Sequence, residues 1–235
     1  MLLPIYDRNP LRIIPYQLMT LSLIVVTVLV FFWQLQLAPS LAERAVLVYG
    51  LIPSVLFGTD QIEPGLAPIP PELSLLTSVF LHGDWWHLLG NMLFLWVFGD
   101  NIEDSMGHLR FVVFYLLCGI AAVLTHALMD PMSATPLIGA SGAISGVLGA
   151  YLLLHPKVRV IVLVFYGIVL PLPLPAYFVL GGWIVLQVVN AYVGGVVPVD
   201  GGPSWWAHIG GFVAGALLIL PMRRRGLKLL DRGRY

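Results

Sequence analysis

Residues 139–146 read GASGAISG, and they open an apolar run that continues to Leu154. The run is long enough to be read as a membrane span, and near its start a serine, Ser141, stands between glycines. Small residues at this spacing let membrane helices approach closely, so the stretch alone suits a helix crossing as well as a nucleophile. What decides between them is the company that the rest of the chain supplies.

That company is a membrane protein's. Of 235 residues 59% are hydrophobic and 10% charged, and the mean hydropathy of +0.91 lies outside the soluble globular range. One membrane-embedded domain over 1–235 is the natural division. Spans are predicted at about 16–37, 85–99, 111–128, 137–154, 176–192 and 205–220, with a basic tail at 221–235. The first is longer than the apolar core of a signal peptide and reads as an uncleaved span. Gly50 and Pro53 argue against a continuous span within 38–80, which is expected as an outer loop resting partly on the bilayer. The acidic cluster Asp100, Glu103 and Asp104 predicts a solvated loop after the second span. Pro171, Pro173 and Pro175 predict a proline-broken connection over 158–175, and VGGVVPVDGGPS at 193–204 predicts a mobile loop.

An even number of spans places both termini on one side, and cytoplasmic loops of membrane proteins are enriched in Lys and Arg. Of the twelve such residues, Arg8, Arg12, Arg110, Lys157, Arg159, Arg223, Arg224, Arg225, Lys228, Arg232 and Arg234 fall on the side of the termini and Arg44 opposite. The expected fold class is therefore an all-α membrane protein, a six-helix bundle with both termini cytoplasmic.

Several function classes drop out. Net charge is zero and no basic tract is long enough for nucleic acid, although the tail could meet anionic lipid. The lone Cys118 offers neither a disulfide nor a metal cluster, and the histidines lack metal-ligand spacing, so no metal or other cofactor is expected. A transporter or channel would be expected to show acids at midplane or an internal repeat. The predicted spans contain no acid and no convincing repeat.

Strong hydrogen-bonding side chains inside such spans are costly unless partnered. Here they fall at one depth. Under the six-span topology the second, fourth and sixth spans all enter from the outer side, and their first turns carry His87 and Asn91, Ser141, and His208 respectively. His87 and Asn91 are four apart and share a helix face. Gly139, Gly142, Gly146 and Gly149 on the fourth span, and Ala207, Gly211 and Gly215 on the sixth, make small-residue stripes that allow close approach. If the stripes face each other, His208 can serve Ser141 as general base, while His87, Asn91 and the Ser141 N–H donate to an oxyanion. No acid lies within the spans to orient His208, so the expected unit is a Ser-His dyad. His108, His126 and His155 are expected in solvated or interfacial roles, and Ser145 in packing.

The segments HGDWWHLLGN at 82–91, GASGAISGVLGAY at 139–151 and AHIGGFVAG at 207–215 resemble, in order, the motifs of the rhomboid family of intramembrane serine proteases. The resemblance implies a compact six-helix bundle with a water-accessible cavity, Ser141 as nucleophile and His208 as base. It implies His87 and Asn91 as oxyanion-stabilising residues, with His82, Gly139 and Gly142 in support. Two departures stand out. The first outer loop has no Trp-Arg pair, and Ser145 occupies a position where some members carry an aromatic ring against the base histidine.

The expected function is an intramembrane serine endopeptidase that cleaves transmembrane or juxtamembrane segments of other membrane proteins. Substrate is expected to arrive laterally past the fifth span, with 193–204 as a lid. The alternative is a noncatalytic relative that binds membrane helices. The expected location is a prokaryotic inner membrane.

Overall fold

The computed structural model describes residues 2–62, 69–166, 168–194 and 204–230. The elements run β1 (Leu2–Asp7), α1 (Leu18–Gln36), α2 (Pro39–Tyr49), α3 (Pro53–Leu56), α4 (Ser74–Thr77), α5 (Trp85–Met106), α6 (His108–Met129), α7 (Ser141–Leu154), β2 (Arg159–Tyr166), β3 (Ile168–Pro175), α8 (Ala176–Gly194) and α9 (Trp205–Met222). Helices dominate, and α1, α6, α8 and α9 are each long and apolar enough to cross a membrane. Most of the predicted loop at 193–204 lies outside the described residues.

The small-residue stripes do face each other. A methyl added at Gly211 or Gly215 would overlap the carbonyl of Gly142 or Gly146, and one at Gly149 the carbonyl of Phe212. Backbone thus lies on backbone along the α7–α9 seam, as small-xxx-small packing requires. The other side of α7 rests on α6, where Cys118 and Ala122 fill the space beside Gly146 and Gly142. Cys118 is wholly buried, a packing residue.

The acids after the second span are not in a solvated loop. α5 runs two turns beyond the predicted 85–99, and Gly107, at φ +88, is the single residue between it and α6. Glu103 is 0% exposed. It accepts from Met19 N–H at 2.9 Å, Thr20 N–H at 2.8 Å and the Thr20 hydroxyl at 2.7 Å. Asp104 accepts from the N–H groups of Arg12, Ile13 and Ile14 at 3.0, 2.8 and 2.7 Å. The first turn of α1 has no side-chain cap of its own, so Glu103 answers its free N–H groups and complements its dipole. His108, expected in a charged loop, opens α6 with Nδ1 against Glu103.

A second correction concerns 158–175, and with it the all-α class. This segment is an antiparallel hairpin, β2 with β3, and β1 adds to β2 to give a three-stranded sheet in the order β1-β2-β3. Prolines lack an N–H and are tolerated on edge strands. Pro171, Pro173 and Pro175 alternate along β3, opposite Leu163, Ile161 and Arg159, so the side of the strand that they deprive of donors is a single one. The basic tail also folds back in part: Arg224 N–H donates to the Ser105 carbonyl and Leu230 N–H to that of Leu153.

Candidate active site

Ser141 is the first residue of α7. The backbone before it is pinned to distant segments: Leu137 and Leu51 exchange hydrogen bonds of 2.7 and 3.0 Å, and Gly139 N–H donates to the Ser78 carbonyl at 2.9 Å. As a helix-opening residue Ser141 has an N–H without an intrahelical acceptor, and no side chain caps this helix. Gly139 takes φ +122, which residues with a side chain rarely adopt. The His87 ring also fills the space where that side chain would sit, 2.6 Å from the ideal Cβ position to Nε2, and Asn91 Nδ2 is 3.9 Å away. A glycine is needed at 139 on both counts.

His208 comes from the first turn of α9, across the glycine seam. Its Nε2 lies 2.9 Å from Ser141 Oγ. Its Nδ1 lies 2.7 Å from Oε1 of Gln187 on α8, and the Trp183 ring packs beside the imidazole with centroids 5.7 Å apart. An amide oxygen only accepts, so Nδ1 is the protonated nitrogen and Nε2 is free to accept the serine proton. Sequence reasoning missed Gln187. An amide in an apolar span is ordinarily interhelical glue, and its partner stands 21 positions away.

The second cluster is built from the segment before α5. Asp84 caps α5 by accepting from Trp86 and His87 N–H at 2.7 and 2.9 Å, which holds its carboxyl below the usual range and fixes the turn that carries His87. His82, 1% exposed, is clasped by Gln34 of α1: Gln34 Nε2 donates to the His82 carbonyl and His82 N–H to Gln34 Oε1. Its Nε2 lies 2.9 Å from Asn91 Nδ2, and its Nδ1 is 3.3 Å from the Phe80 carbonyl. Asn91 therefore donates to His82, and the His82 tautomer is fixed by the Phe80 carbonyl. The His82 and His87 rings meet edge to face at 4.9 Å.

The structure thus joins Ser141 to His208, and sets His87 and Asn91 beside Gly139, two residues before the serine, with His82 behind them. Gly142 is spent on packing against Ala122. Ser145 donates to the Ser141 carbonyl at 2.6 Å, and His126 Nδ1 pairs with the Ser204 hydroxyl at 2.7 Å beside the start of α9. Among the described residues no group of three or more His, Cys, Asp or Glu is placed to hold a metal.

The Rhomboid domain family model matches residues 72–225, a stretch that takes in every one of these side chains except Gln34. The chain is a rhomboid. Rhomboid protein 1, mitochondrial, of Saccharomyces cerevisiae is 32% identical over 155 residues, covering 63% of this chain and 41% of its own. RHOMBOID-like protein 5 of Arabidopsis thaliana is 32% identical over 161 residues, covering 68% of this chain and 45% of its own. Rhomboid protease GluP of Bacillus subtilis is 34% identical over 148 residues, covering 63% of this chain and 26% of its own. The rhomboid spans less than half the length of each of these relatives. It belongs to a membrane family with protease-named members. A mitochondrial relative among them leaves the expected prokaryotic inner membrane without support.

Proposed function

We propose that this rhomboid is an intramembrane serine endopeptidase with Ser141 as nucleophile and His208 as general base. The observation that carries the reading is the 2.9 Å approach of His208 Nε2 to Ser141 Oγ, with the other imidazole nitrogen committed as a donor. As Oγ attacks a peptide carbonyl, its proton passes to Nε2 and the C–Oγ bond forms. The carbonyl oxygen takes the negative charge and is met by the Ser141 N–H, Asn91 and His87. Collapse expels the amine, which takes the proton from Nε2. Water then repeats the sequence on the acyl-enzyme and frees Ser141.

Six spans, α1, α5, α6, α7, α8 and α9, with both termini cytoplasmic, fit the distribution of Lys and Arg. α7 has 14 residues. At the α-helical rise that is about 21 Å, short of the roughly 30 Å hydrocarbon core, so a helix that starts at Ser141 holds the serine below the outer surface. The substrate class is a transmembrane or juxtamembrane segment of another protein, cut where the helix unwinds and uncovers a carbonyl. Access is lateral, past α8.

The test is labelling of the detergent-folded protein with a fluorophosphonate, which needs no knowledge of the substrate. Labelling that disappears in both Ser141→Ala and His208→Ala, with melting unchanged, is the expected result. A folded wild type that neither labels nor cleaves a membrane-anchored reporter would overturn the reading in favour of helix binding without catalysis.

A further inference from the structure

We infer that Gln187 is a positioning residue for the proposed base, holding His208 in the one tautomer that can accept the Ser141 proton. The inference rests on the dyad reading and adds to it a third side chain from a third helix.

Gln187 is 6% exposed in a helix whose other buried residues are apolar or small. A buried amide is retained where it is partnered, and its described partner is His208 Nδ1 at 2.7 Å. Neutral imidazole carries one proton. With that proton on Nε2, His208 would present a donor to the serine and could not take its hydrogen. With it on Nδ1, the ring needs an acceptor on that side, and Gln187 Oε1 supplies one. Trp183, one turn before Gln187 and on the same face of α8, packs its ring against the imidazole and limits its rotation. One helix face thus sets both the tautomer and the plane of the base. During attack the proton moves from Oγ to Nε2 and the Nδ1 proton stays in place, facing the carbonyl end of the Gln187 amide dipole. Among the described residues, the other titratable group whose charge reaches His208 is His87.

An amide that only packed α8 against α9 would not need its oxygen at Nδ1, so its replacement by leucine would leave the labelling rate of a folded protein unchanged and a carboxylate at 187 would not sit against the ring. The experiment uses that difference. Fluorophosphonate labelling rates of the full chain in detergent are followed from pH 5 to 9 for wild type, Gln187→Leu and Gln187→Glu, with Ser141→Ala as blank and melting as the fold check. Gln187→Leu is expected to slow labelling about tenfold or more, because the base loses its orientation. Gln187→Glu is expected to restore the rate at high pH. It also moves the acid limb up by about one unit or more, since a carboxylate beside the ring favours imidazolium. Unchanged labelling in folded Gln187→Leu, or an unmoved acid limb in Gln187→Glu, would overturn the assignment. If Gln187→Leu does not fold, the acid limb of Gln187→Glu decides alone. A wild type that does not label counts instead against the dyad itself.

Discussion

Tyr151, on the last turns of α7, donates its hydroxyl to Asp7 Oδ2 at 2.5 Å and so ties the helix that begins with Ser141 to the first strand of the sheet. Asn101 Nδ2 adds a second donor to the same oxygen at 3.1 Å, and the Tyr151 ring packs edge to face on Phe98. Asp7 is buried, and burial with Asp100 nearby pushes its carboxyl from 3.8 up to about 7, against the lowering effect of the Tyr151 bond.

This contact makes stability depend on pH. Between about 4 and 7 folded Asp7 holds a proton that the unfolded chain has released, so the stability that Asp7 contributes is fully present below pH 4 and is lost as pH rises to about 7. Asp7→Asn should flatten that slope and melt higher than wild type at pH 8, measured by thermal unfolding in detergent. Equal pH slopes in the two proteins would show that Asp7 is already ionised when folded.

Glu103 predicts a stability effect far from the proposed dyad. Glu103→Ala leaves the buried Thr20 N–H and hydroxyl and the half-buried Met19 N–H without their acceptor, at a cost of about 3 kcal/mol or more. Hydrogen exchange should accelerate at Met19 and Thr20 before it changes in α7 or α9.

The α7–α9 seam gives a steric prediction. Gly215→Ala sets a methyl against the Gly146 backbone and should destabilise by about 1–3 kcal/mol. It should also slow labelling, since widening the seam separates His208 from Ser141. Gly181→Ala on α8, where a methyl meets nothing within 4 Å, should stay within about 1 kcal/mol of wild type.

Asn91 and His82 should act in series. Asn91→Ala removes a proposed oxyanion donor and is expected to lower kcat by about 100-fold with little change in KM. His82→Ala leaves Asn91 in place but takes away the ring that its amide meets at 2.9 Å, and should lower kcat by a smaller factor. A double variant no slower than Asn91→Ala would show that the two residues work as one unit.

The glycine stripes, and the residues they bring together, were legible because spacing along a helix is itself a spatial statement. Ser141 and His208 each sit at the start of an apolar run flanked by small residues, and helix geometry did the rest. Gln187 was not legible. Asn190 is a second amide in the same span, and only the rotation of α8 about its axis determines which one meets the base. The acids at 100–104 misled because charge in sequence usually means solvent. Glu103 and Asp104 find their partners in backbone N–H groups more than eighty residues away, which no pattern of side chains reveals. The prolines at 171–175 misled for the opposite reason: they break helices and central strands, but not an edge.

The Glu103 and Asp104 contacts also bear on the order of biosynthesis. The start of α1 and the segment leading into it obtain their hydrogen-bond acceptors from residues made more than eighty positions later. While α1 emerges from the ribosome and enters the bilayer, these N–H groups have water or headgroups as their only acceptors. The N-terminal segment, and with it the strand that completes the sheet, can therefore lock only after α5 has been synthesised through to its charged end. Segments made before α5 thus reach their final place only after it.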